Sequence, residues 1–235
     1  MGAQKERDNG GVVVVTGASR GVGRETVIAL VGMGRSVVAV ARSEEALNAL
    51  VAACTNGPGT LRILVIDLED EEAAVSIKDA LGGKRVIALV HNAGLLNNTN
   101  MGLHSRKELE QLYRVNVFAP LELSQALEEE LSGDPPGHIV HIGSMGGFQD
   151  SNKFPGLVAY SASKAALACI AQCLAEEFKD KGIRSNCLAL GSVDTAMLRA
   201  AFPGFKSTTT AEQMGRYVAE FSLHGHKLFN GKVLP

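Results

Sequence analysis

The 235-residue sequence has only four cysteines, and none of them has the CxxC spacing of a metal knuckle or redox pair. Charge of one sign is also lacking, because 23 basic residues stand against 25 acidic ones, so binding to nucleic acid through phosphate neutralisation is not expected. Apolar runs such as 11–15 are far shorter than the roughly 18 residues that a membrane span needs. The polar first ten residues lack the apolar stretch of a secretory signal, so we expect a cytoplasmic protein that binds neither nucleic acid nor membrane.

What is present is an ordinary globular composition, with 46% hydrophobic and 20% charged residues. These proportions exclude a disordered chain, a collagen and a coiled coil. An unbroken pattern of this length favours one domain over two. We therefore expect a flexible N-terminal segment at residues 1–10 and one folded domain at residues 11–235. The cysteines are expected to be small buried hydrophobes: Cys54, Cys169, Cys173 and Cys187.

Short β-branched, apolar runs alternate with helical patterns along the whole chain. The runs are Val12 to Thr16, Ser36 to Val40, Leu61 to Ile66, Val86 to Val90, His138 to Ile142 and Ile183 to Leu188. They are continuously apolar instead of alternating, as expected for strands of a parallel sheet covered by helices on both faces. The pattern therefore predicts a doubly wound α/β fold.

A glycine-rich segment, residues 16–23, lies between the first predicted strand and the first predicted helix. Gly17 would allow a tight turn, Gly21 would let the backbone approach a diphosphate, and Gly23 would let helix and strand pack closely. The helix N-terminus adds unpaired N–H groups, which favour an anion. A purely structural turn is the alternative, but the position between strand and helix favours dinucleotide binding.

The end of the second strand indicates which dinucleotide is bound. NAD sites usually place an Asp or Glu there, whereas this sequence has Arg42 and Ser43. Arg42 can pair with a 2′-phosphate through two hydrogen bonds, Ser43 can donate another, and Arg20 can approach from the glycine-rich segment. We therefore expect NADP(H) in preference to NAD(H). The alternative is that both arginines are solvated surface charges.

Tyr160 and Lys164 open a long apolar helical pattern that runs to about Phe178. Their spacing places both side chains on one helix face. A free tyrosine has a pKa of about 10, and an adjacent ammonium together with a cationic nicotinamide would favour the phenolate. A tyrosine with a lowered pKa can exchange a proton with a substrate oxygen near neutral pH. Taken alone, such a pair is more often surface packing.

Several ordered motifs resemble those of the short-chain dehydrogenase/reductase family. They are TGxxxGxG at 16–23, Asn-Ala-Gly at 92–94, Ser144 after the fifth strand, the YxxxK pair Tyr160 and Lys164, and the helix asparagine Asn116. The resemblance covers residues 11–233. It implies a single-domain Rossmann fold whose parallel sheet has about seven strands.

The resemblance also implies roles for four catalytic residues. By this resemblance, Ser144 orients and polarises a substrate carbonyl, and Tyr160 is the general acid or base. Lys164 lowers the pKa of Tyr160 and holds the nicotinamide ribose, and Asn116 positions a proton-relay water. These roles predict an NADPH-dependent reductase of small carbonyl compounds, either ketones and aldehydes or 3-oxoacyl groups, or the reverse oxidation of an alcohol. The alternative is an NADP(H)-binding sensor or scaffold without significant turnover.

Cofactor contacts are expected from the glycine-rich segment, from three strand ends and from the segment after the sixth strand. The expected residues are Gly17, Ser19, Arg20, Gly21, Val22, Gly23, Arg42, Ser43, Asp67, Leu68, Asn92, Ala93, Gly94, Tyr160, Lys164, Gly191, Val193 and Thr195. Asp67 resembles the family's adenine-contacting acid, although a helix N-cap is the alternative. Val193 and Thr195 resemble the segment that holds the nicotinamide amide and the phosphates.

The sequence departs from the family pattern at three places. His91 stands where the family usually has a further Asn, and Leu190 replaces the Pro that normally precedes Gly191. Residues 231–235 resemble the last strand but lack the customary glycine-rich tail. No metal site is expected, because His138 and His141 face opposite ways on one strand.

Two loops that follow strands suggest a mostly apolar substrate pocket, although large side chains also anchor loops. The residues concerned are Met145, Phe148, Gln149 and Phe154 in one loop and Met197, Phe202 and Phe205 in the other. Lys153, Arg199 and Lys206 would attract an anionic tail, but solvated surface charge is favoured for them. The helix from Tyr160 to Phe178 is apolar nearly all round, which predicts a homodimer or homotetramer.

Overall fold

The computed structural model describes residues 10–235, which form seven strands with one or more helices between consecutive strands. The strands are β1 (Val12–Thr16), β2 (Ser36–Ala41), β3 (Thr60–Val65), β4 (Val86–His91), β5 (His138–Ile142), β6 (Arg184–Leu188) and β7 (Val233–Leu234). The helices are α1 (Gly21–Gly32), α2 (Glu44–Cys54), α3 (Ala73–Leu81), α4 (Arg106–Tyr113), α5 (Ala119–Ala126), α6 (Glu128–Leu131), α7 (Val158–Glu177), α8 (Ala196–Ala201) and α9 (Ala211–His224). The flexible segment predicted for residues 1–10 lies outside the described residues, apart from Gly10.

The strands of this described range form one parallel sheet in the order β3-β2-β1-β4-β5-β6-β7. Every pairing in it is parallel, from β2 with β3 to β6 with β7. The strand order reverses between β1 and β4, and ligands of such sheets bind outside the carboxyl ends of the strands at this point. The predicted doubly wound fold is confirmed.

The continuous apolar runs predicted the strands to within one residue at each end. β1 and β5 have the predicted bounds, and all five residues of each are buried. The last segment also pairs as predicted, since Val233 and Leu234 lie opposite Cys187 and Leu188. Continuous burial explains this accuracy, because both faces of each central strand must be apolar.

Two apolar layers enclose the sheet. On one face, Val13 and Val15 pack with residues of α1 and α9, including Leu30 and Val218. On the other face, Val14 belongs to a second cluster that contains residues of α3, α5 and α7. Apolar side chains therefore cover both faces of the sheet, and the loops that follow the strands lie at its carboxyl-terminal edge.

The cysteines divide into two pairs. Cys54 and Cys187 are buried, as predicted, but Cys169 and Cys173 are exposed, so the prediction of burial is wrong for this second pair. Their Sγ atoms lie 4.0 Å apart on an exposed face of α7. The prediction of burial rested on the apolar residues that surround both cysteines in the sequence. It failed because part of the apolar surface of α7 is not covered within one chain.

α7 is also the one helix within residues 10–235 that is long and apolar enough to cross a membrane by length and composition. The apolar runs of the sequence did not indicate this, because polar residues interrupt the helix. Two of those residues, Tyr160 and Lys164, are buried against the rest of the chain. α7 packs on β5 and β6, so it is a core helix of this fold.

Candidate active site

A cavity of about 620 Å³ lies at the carboxyl ends of the strands, where the strand order reverses. Most of the predicted site residues line it: Gly17, Ser19, Arg20, Gly21, Val22, Arg42, Asp67, Leu68, Asn92, Ala93, Gly94, Ser144, Tyr160, Lys164, Gly191, Val193 and Thr195. Gly23, Ser43 and Asn116 do not belong to this lining. The structure thus brings nearly all of the predicted residues to one place.

The glycine-rich turn is shaped by two close approaches. Gly17 has a φ of +65°, and a Cβ there would lie 2.6 Å from Cα of Ala93. At Gly23, a Cβ would lie 2.5 Å from the carbonyl oxygen of Gly17 and would collide with the amide of Asn92. Both glycines are therefore required by geometry, and Gly23 serves the close packing that the sequence predicted.

The ends of β1 and β4 are joined by polar contacts beside this turn. The Oγ1 atom of Thr16 accepts hydrogen bonds from the backbone N–H groups of Asn92 and Ala93, both at 3.2 Å. The side-chain amide of Asn92 donates in turn to the carbonyl oxygens of Thr16 and Gly17, both at 3.0 Å. Asn92 therefore holds the turn in place at the edge of the cavity.

Three polar residues from different elements meet at the other end of the cavity. Ser144 follows β5, and its Oγ accepts from the N–H of Gly146 at 3.1 Å. Its hydroxyl lies beside that of Tyr160, the third residue of α7. Lys164 lies one turn later, and its Nζ donates to the carbonyl oxygen of Ile142 at 2.8 Å. Both Tyr160 and Lys164 are buried, so this pair is not surface packing.

Burial dominates the titration of this pair. It raises the pKa of Tyr160, while the hydrogen bond from Ser144 lowers it by a smaller amount. Burial also lowers the pKa of Lys164 to about 8. In the protein alone, the direction for Tyr160 is opposite to the one expected from its spacing to Lys164, because the loss of hydration outweighs the polar contacts.

Asn116 lies behind the cavity wall and is fully buried. Its Oδ1 accepts from the backbone N–H of Leu95 at 2.8 Å, and its Nδ2 donates to the Leu95 carbonyl at 2.9 Å and to Ser163 Oγ at 3.0 Å. It sits in a π-helical turn, Arg114–Phe118, which the sequence analysis did not predict. π-Helical turns occur often at functional sites, and this one directs Asn116 to the backbone of the cavity wall.

The residues expected near a 2′-phosphate contact other groups of the protein. Arg42 lines the cavity, but its Nη1 lies 3.7 Å from Asp67 and 3.6 Å from Glu69. Ser43 caps α2, since its Oγ accepts from the N–H of Ala46, and this contact leaves its O–H group able to donate. Asp67 accepts from the N–H of Glu69 and does not cap α3, whose N-cap residue is Glu72.

Sequence reasoning missed Glu69 as a residue of this site. It lines the cavity beside Arg42, whereas only Asp67 and Leu68 were expected from this segment. The available signal was the acidic run 67–72 directly after the third strand, in which only residue 68 is apolar. An acidic run of this kind is usually a solvated surface. Here the contact with Arg42, at the end of the neighbouring strand β2, sets Asp67 and Glu69 apart from an ordinary surface run.

Two of the three departures from the family pattern, His91 and Leu190, make specific contacts. His91 Nε2 is 2.9 Å from Ser124 Oγ, and its ring stacks on that of His141 with centroids 4.9 Å apart. Burial lowers the pKa of His91 to about 3, so this ring is neutral. The carbonyl of Leu190 accepts from the N–H of Met145 at 2.9 Å, which ties the segment after β6 to the segment that carries Ser144.

The side of the cavity near Tyr160 is apolar. Of the large loop residues predicted there, these line it: Met145, Phe154, Met197, Phe202 and Phe205. Phe148 and Gln149 lie outside the lining. Lys153 donates to the carbonyl oxygens of Gly146 and Phe148, at 3.0 and 2.6 Å, and Arg199 pairs with Asp194, so both cations have partners within the chain.

No group of three or more metal-ligating side chains occurs within residues 10–235. His138 and His141 do face opposite ways, since His138 contacts Asn186 and His141 stacks on His91.

Comparison with known proteins agrees with this geometry. A family model described as short chain dehydrogenase matches residues 11–204. The chain belongs to the short-chain dehydrogenase/reductase family. It is accordingly an oxidoreductase that acts on CH–OH or C=O groups.

Individual relatives cover most of this short-chain dehydrogenase/reductase. L-Xylulose reductase of Caenorhabditis elegans is 32% identical over 188 residues, which are 80% of this chain and 73% of the relative. The 3-oxoacyl-[acyl-carrier-protein] reductase of Escherichia coli is 30% identical over 194 residues, which are 81% of this chain and 77% of the relative. A metagenomic short-chain oxidoreductase in complex with NADP has a TM-score of 0.81 and 28% identity, and 97% of each chain is covered.

Proposed function

We propose that this protein is an NADPH-dependent carbonyl reductase in which Tyr160 supplies the proton to the substrate oxygen. The observation that carries the proposal is the presence of Ser144, Tyr160 and Lys164 in the same cavity as the glycine-rich turn. When bound, the cofactor supplies the hydride. The protein's task is then to hold the carbonyl, exclude water and deliver the proton.

The opposite end of the cavity fits a dinucleotide. α1 begins after Arg20, whose backbone is extended, and within the described residues no side chain caps this helix end. Its unpaired N–H groups therefore suit a diphosphate. Arg20 and Arg42 line the cavity near this end, which supports NADP(H) over NAD(H). The metagenomic relative that is in complex with NADP agrees with this choice.

The proposed chemistry follows from the contacts of each side chain. The side chains of Ser144 and Tyr160 lie beside each other in the cavity lining, so one carbonyl oxygen can accept from both hydroxyls. Lys164 adds a buried ammonium one helical turn away. Asn116 does not line the cavity, and it acts by holding the residues that do. Its Oδ1 and Nδ2 are both hydrogen-bonded to the backbone of Leu95, and Nδ2 also donates to Ser163.

The substrate is proposed to be a small molecule with an apolar body next to its carbonyl. Five large apolar side chains line the cavity on the Tyr160 side. The nearby cations Lys153 and Arg199 are bound to groups of their own segments, Lys153 to the carbonyl of Gly146 and Arg199 to Asp194. This lining suits ketones, aldehydes and acyl chains better than highly charged compounds. The name of the E. coli relative supports 3-oxoacyl groups as one substrate class.

Turnover distinguishes this proposal from an NADP(H)-binding sensor or scaffold. We expect the purified protein to transfer deuterium from C4-deuterated NADPH to at least one member of a panel of ketones, aldehydes and 3-oxoacyl thioesters. Tyr160→Phe is expected to lower turnover by about 10²- to 10⁴-fold, the usual contribution of a general acid, and to leave the Kd for NADPH nearly unchanged.

The matched control is Tyr217→Phe, which removes a phenolic hydroxyl from the exposed surface of α9 and should have no effect. Equal turnover in Tyr160→Phe and wild type would refute the assigned role of Tyr160. NADPH binding without deuterium transfer to any carbonyl of the panel would favour the sensor.

A further inference from the structure

One cation and two carboxylates meet at the nucleotide end of the cavity. Arg42 follows β2, and Asp67 and Glu69 follow β3, which is the neighbouring strand in the sheet. Nη1 of Arg42 lies 3.7 Å from Oδ2 of Asp67 and 3.6 Å from Oε1 of Glu69. All three residues line the cavity. The guanidinium that is expected to bind a 2′-phosphate therefore already has two anionic partners.

Glu69 is held in this position from three sides. Its Oε1 accepts from Nε2 of Gln111 in α4 at 2.7 Å. Its carbonyl oxygen accepts from Nε of Arg114 at 3.2 Å, and its N–H donates to Oδ1 of Asp67 at 3.1 Å. With 30% of its side chain exposed, Glu69 is also less hydrated than Arg42 at 59%. The carboxylate of Glu69 is thus a fixed charge of the cavity wall and does not swing freely in solvent.

A fixed carboxylate at this point affects the two nicotinamide cofactors differently. A 2′-phosphate carries a charge of about −1.5 to −2 at pH 7, whereas a ribose 2′-hydroxyl is neutral. To bind the phosphate, Arg42 must share its charge with a second anion or leave Glu69, and the phosphate is repelled by Glu69 in either case. The neutral hydroxyl meets neither cost.

We propose that Glu69 is a specificity-determining residue, which weakens the preference for NADP(H) over NAD(H) by competing with the 2′-phosphate for Arg42. This inference rests on the proposed use of nicotinamide cofactors. It assigns a role to a residue that the sequence motifs did not single out. It also implies that the cofactor preference of this chain is set by the ends of two strands, β2 and β3, and not by β2 alone.

The direct test is the isosteric substitution Glu69→Gln, which removes the charge and keeps an oxygen for Gln111. We expect it to tighten NADPH about three- to fivefold, the upper range for one partly exposed ion pair, and to change NADH by less than about twofold. Dissociation constants are measured by nicotinamide fluorescence titration of the full chain. Because the interaction is electrostatic, the gain should shrink as the salt concentration rises.

Two further variants give the test its controls. Glu220→Gln removes the same charge from the exposed surface of α9 and should leave both dissociation constants unchanged. Arg42→Ala should act in the opposite direction and weaken NADPH far more than NADH.

The possible results separate this inference from the proposed function. A rise in the ratio of NADPH to NADH affinity in Glu69→Gln alone supports the role of Glu69. If wild type binds NADPH but this ratio is unchanged or lower in Glu69→Gln, the inference on Glu69 is overturned and the proposed function stands. If wild type binds neither cofactor, both are overturned.

Discussion

The ammonium group of Lys164 donates a hydrogen bond of 2.8 Å to the carbonyl oxygen of Ile142, at the carboxyl end of β5. Lys164 is only 4% exposed, and burial lowers its pKa to about 8 from the ordinary value of 10.5. The contact therefore connects α7 to the strand that leads into Ser144, and it does so with a group whose charge is costly to bury. Because of this cost, the protonation of Lys164 should affect the unfolding free energy of the protein.

We predict that the substitution Lys164→Met changes how the unfolding free energy depends on pH. Between pH 8 and pH 10.5 the unfolded chain binds more protons at Lys164 than the folded chain does, so rising pH favours the folded state. From pH 7 to pH 9.5, the unfolding free energy of wild type should therefore rise by about 2 kcal/mol relative to that of Lys164→Met. Urea denaturation at a series of pH values measures this difference.

The control for this prediction is Lys107→Met, which replaces an exposed lysine of α4. Its unfolding free energy should stay parallel to that of wild type over the same pH range. A pH-independent difference between wild type and Lys164→Met would show that the lysine is not buried as the structure has it.

A second prediction compares two glycines of the same helix, α1. Gly23→Ala would place a Cβ 2.5 Å from the carbonyl oxygen of Gly17, while Gly32→Ala would meet nothing within 4 Å. We expect Gly23→Ala to cost about 1–3 kcal/mol of unfolding free energy, as overpacking does, and to abolish NADPH binding because the turn must move. Gly32→Ala should stabilise by up to about 1 kcal/mol and leave binding unchanged. Equal behaviour of the two variants in denaturation and NADPH titration would contradict the close approach at Gly23.

Most of the fold could be predicted from the sequence, because the central strands are buried on both faces and therefore stand out as continuous apolar runs. Tyr160 and Lys164 were predictable for a related reason, since a helix of fixed pitch brings residues four apart to one face. Ser144 and the turn at 16–23 follow from motifs whose positions relative to the strands are set by the same pattern.

What could not be predicted depends on contacts between segments that are distant in sequence. The acids beside Arg42 come from another strand end, and neither their distance nor their competition for the guanidinium is encoded locally. The direction of the Tyr160 pKa depends on the depth of burial, which spacing along a helix does not indicate. Likewise, the exposure of Cys169 follows from which face of α7 the rest of the chain covers.

That uncovered face of α7 gives a last prediction, on assembly. It carries Val158 and Cys169, both exposed, and small side chains such as Ala165 between them. An apolar helix face of this kind is best covered by another protein surface, and a second copy of this chain is the predicted partner. Static light scattering should therefore give a dimer or tetramer, and Ala165→Glu should shift it to the monomer, because a carboxylate buried at the contact would be unpaired.

Thiol chemistry on the same variants tests where the contact lies. Cys54 and Cys187 are buried within the chain and should react with a thiol reagent only after unfolding. Cys169 and Cys173 should be protected in wild type and become reactive in Ala165→Glu, at two thiols per chain. Ala52→Glu, on the exposed surface of α2, is the matched control and should leave both assembly and thiol reactivity unchanged. A monomeric wild type with two rapidly reacting thiols would contradict the prediction, because α7 would then remain uncovered in solution.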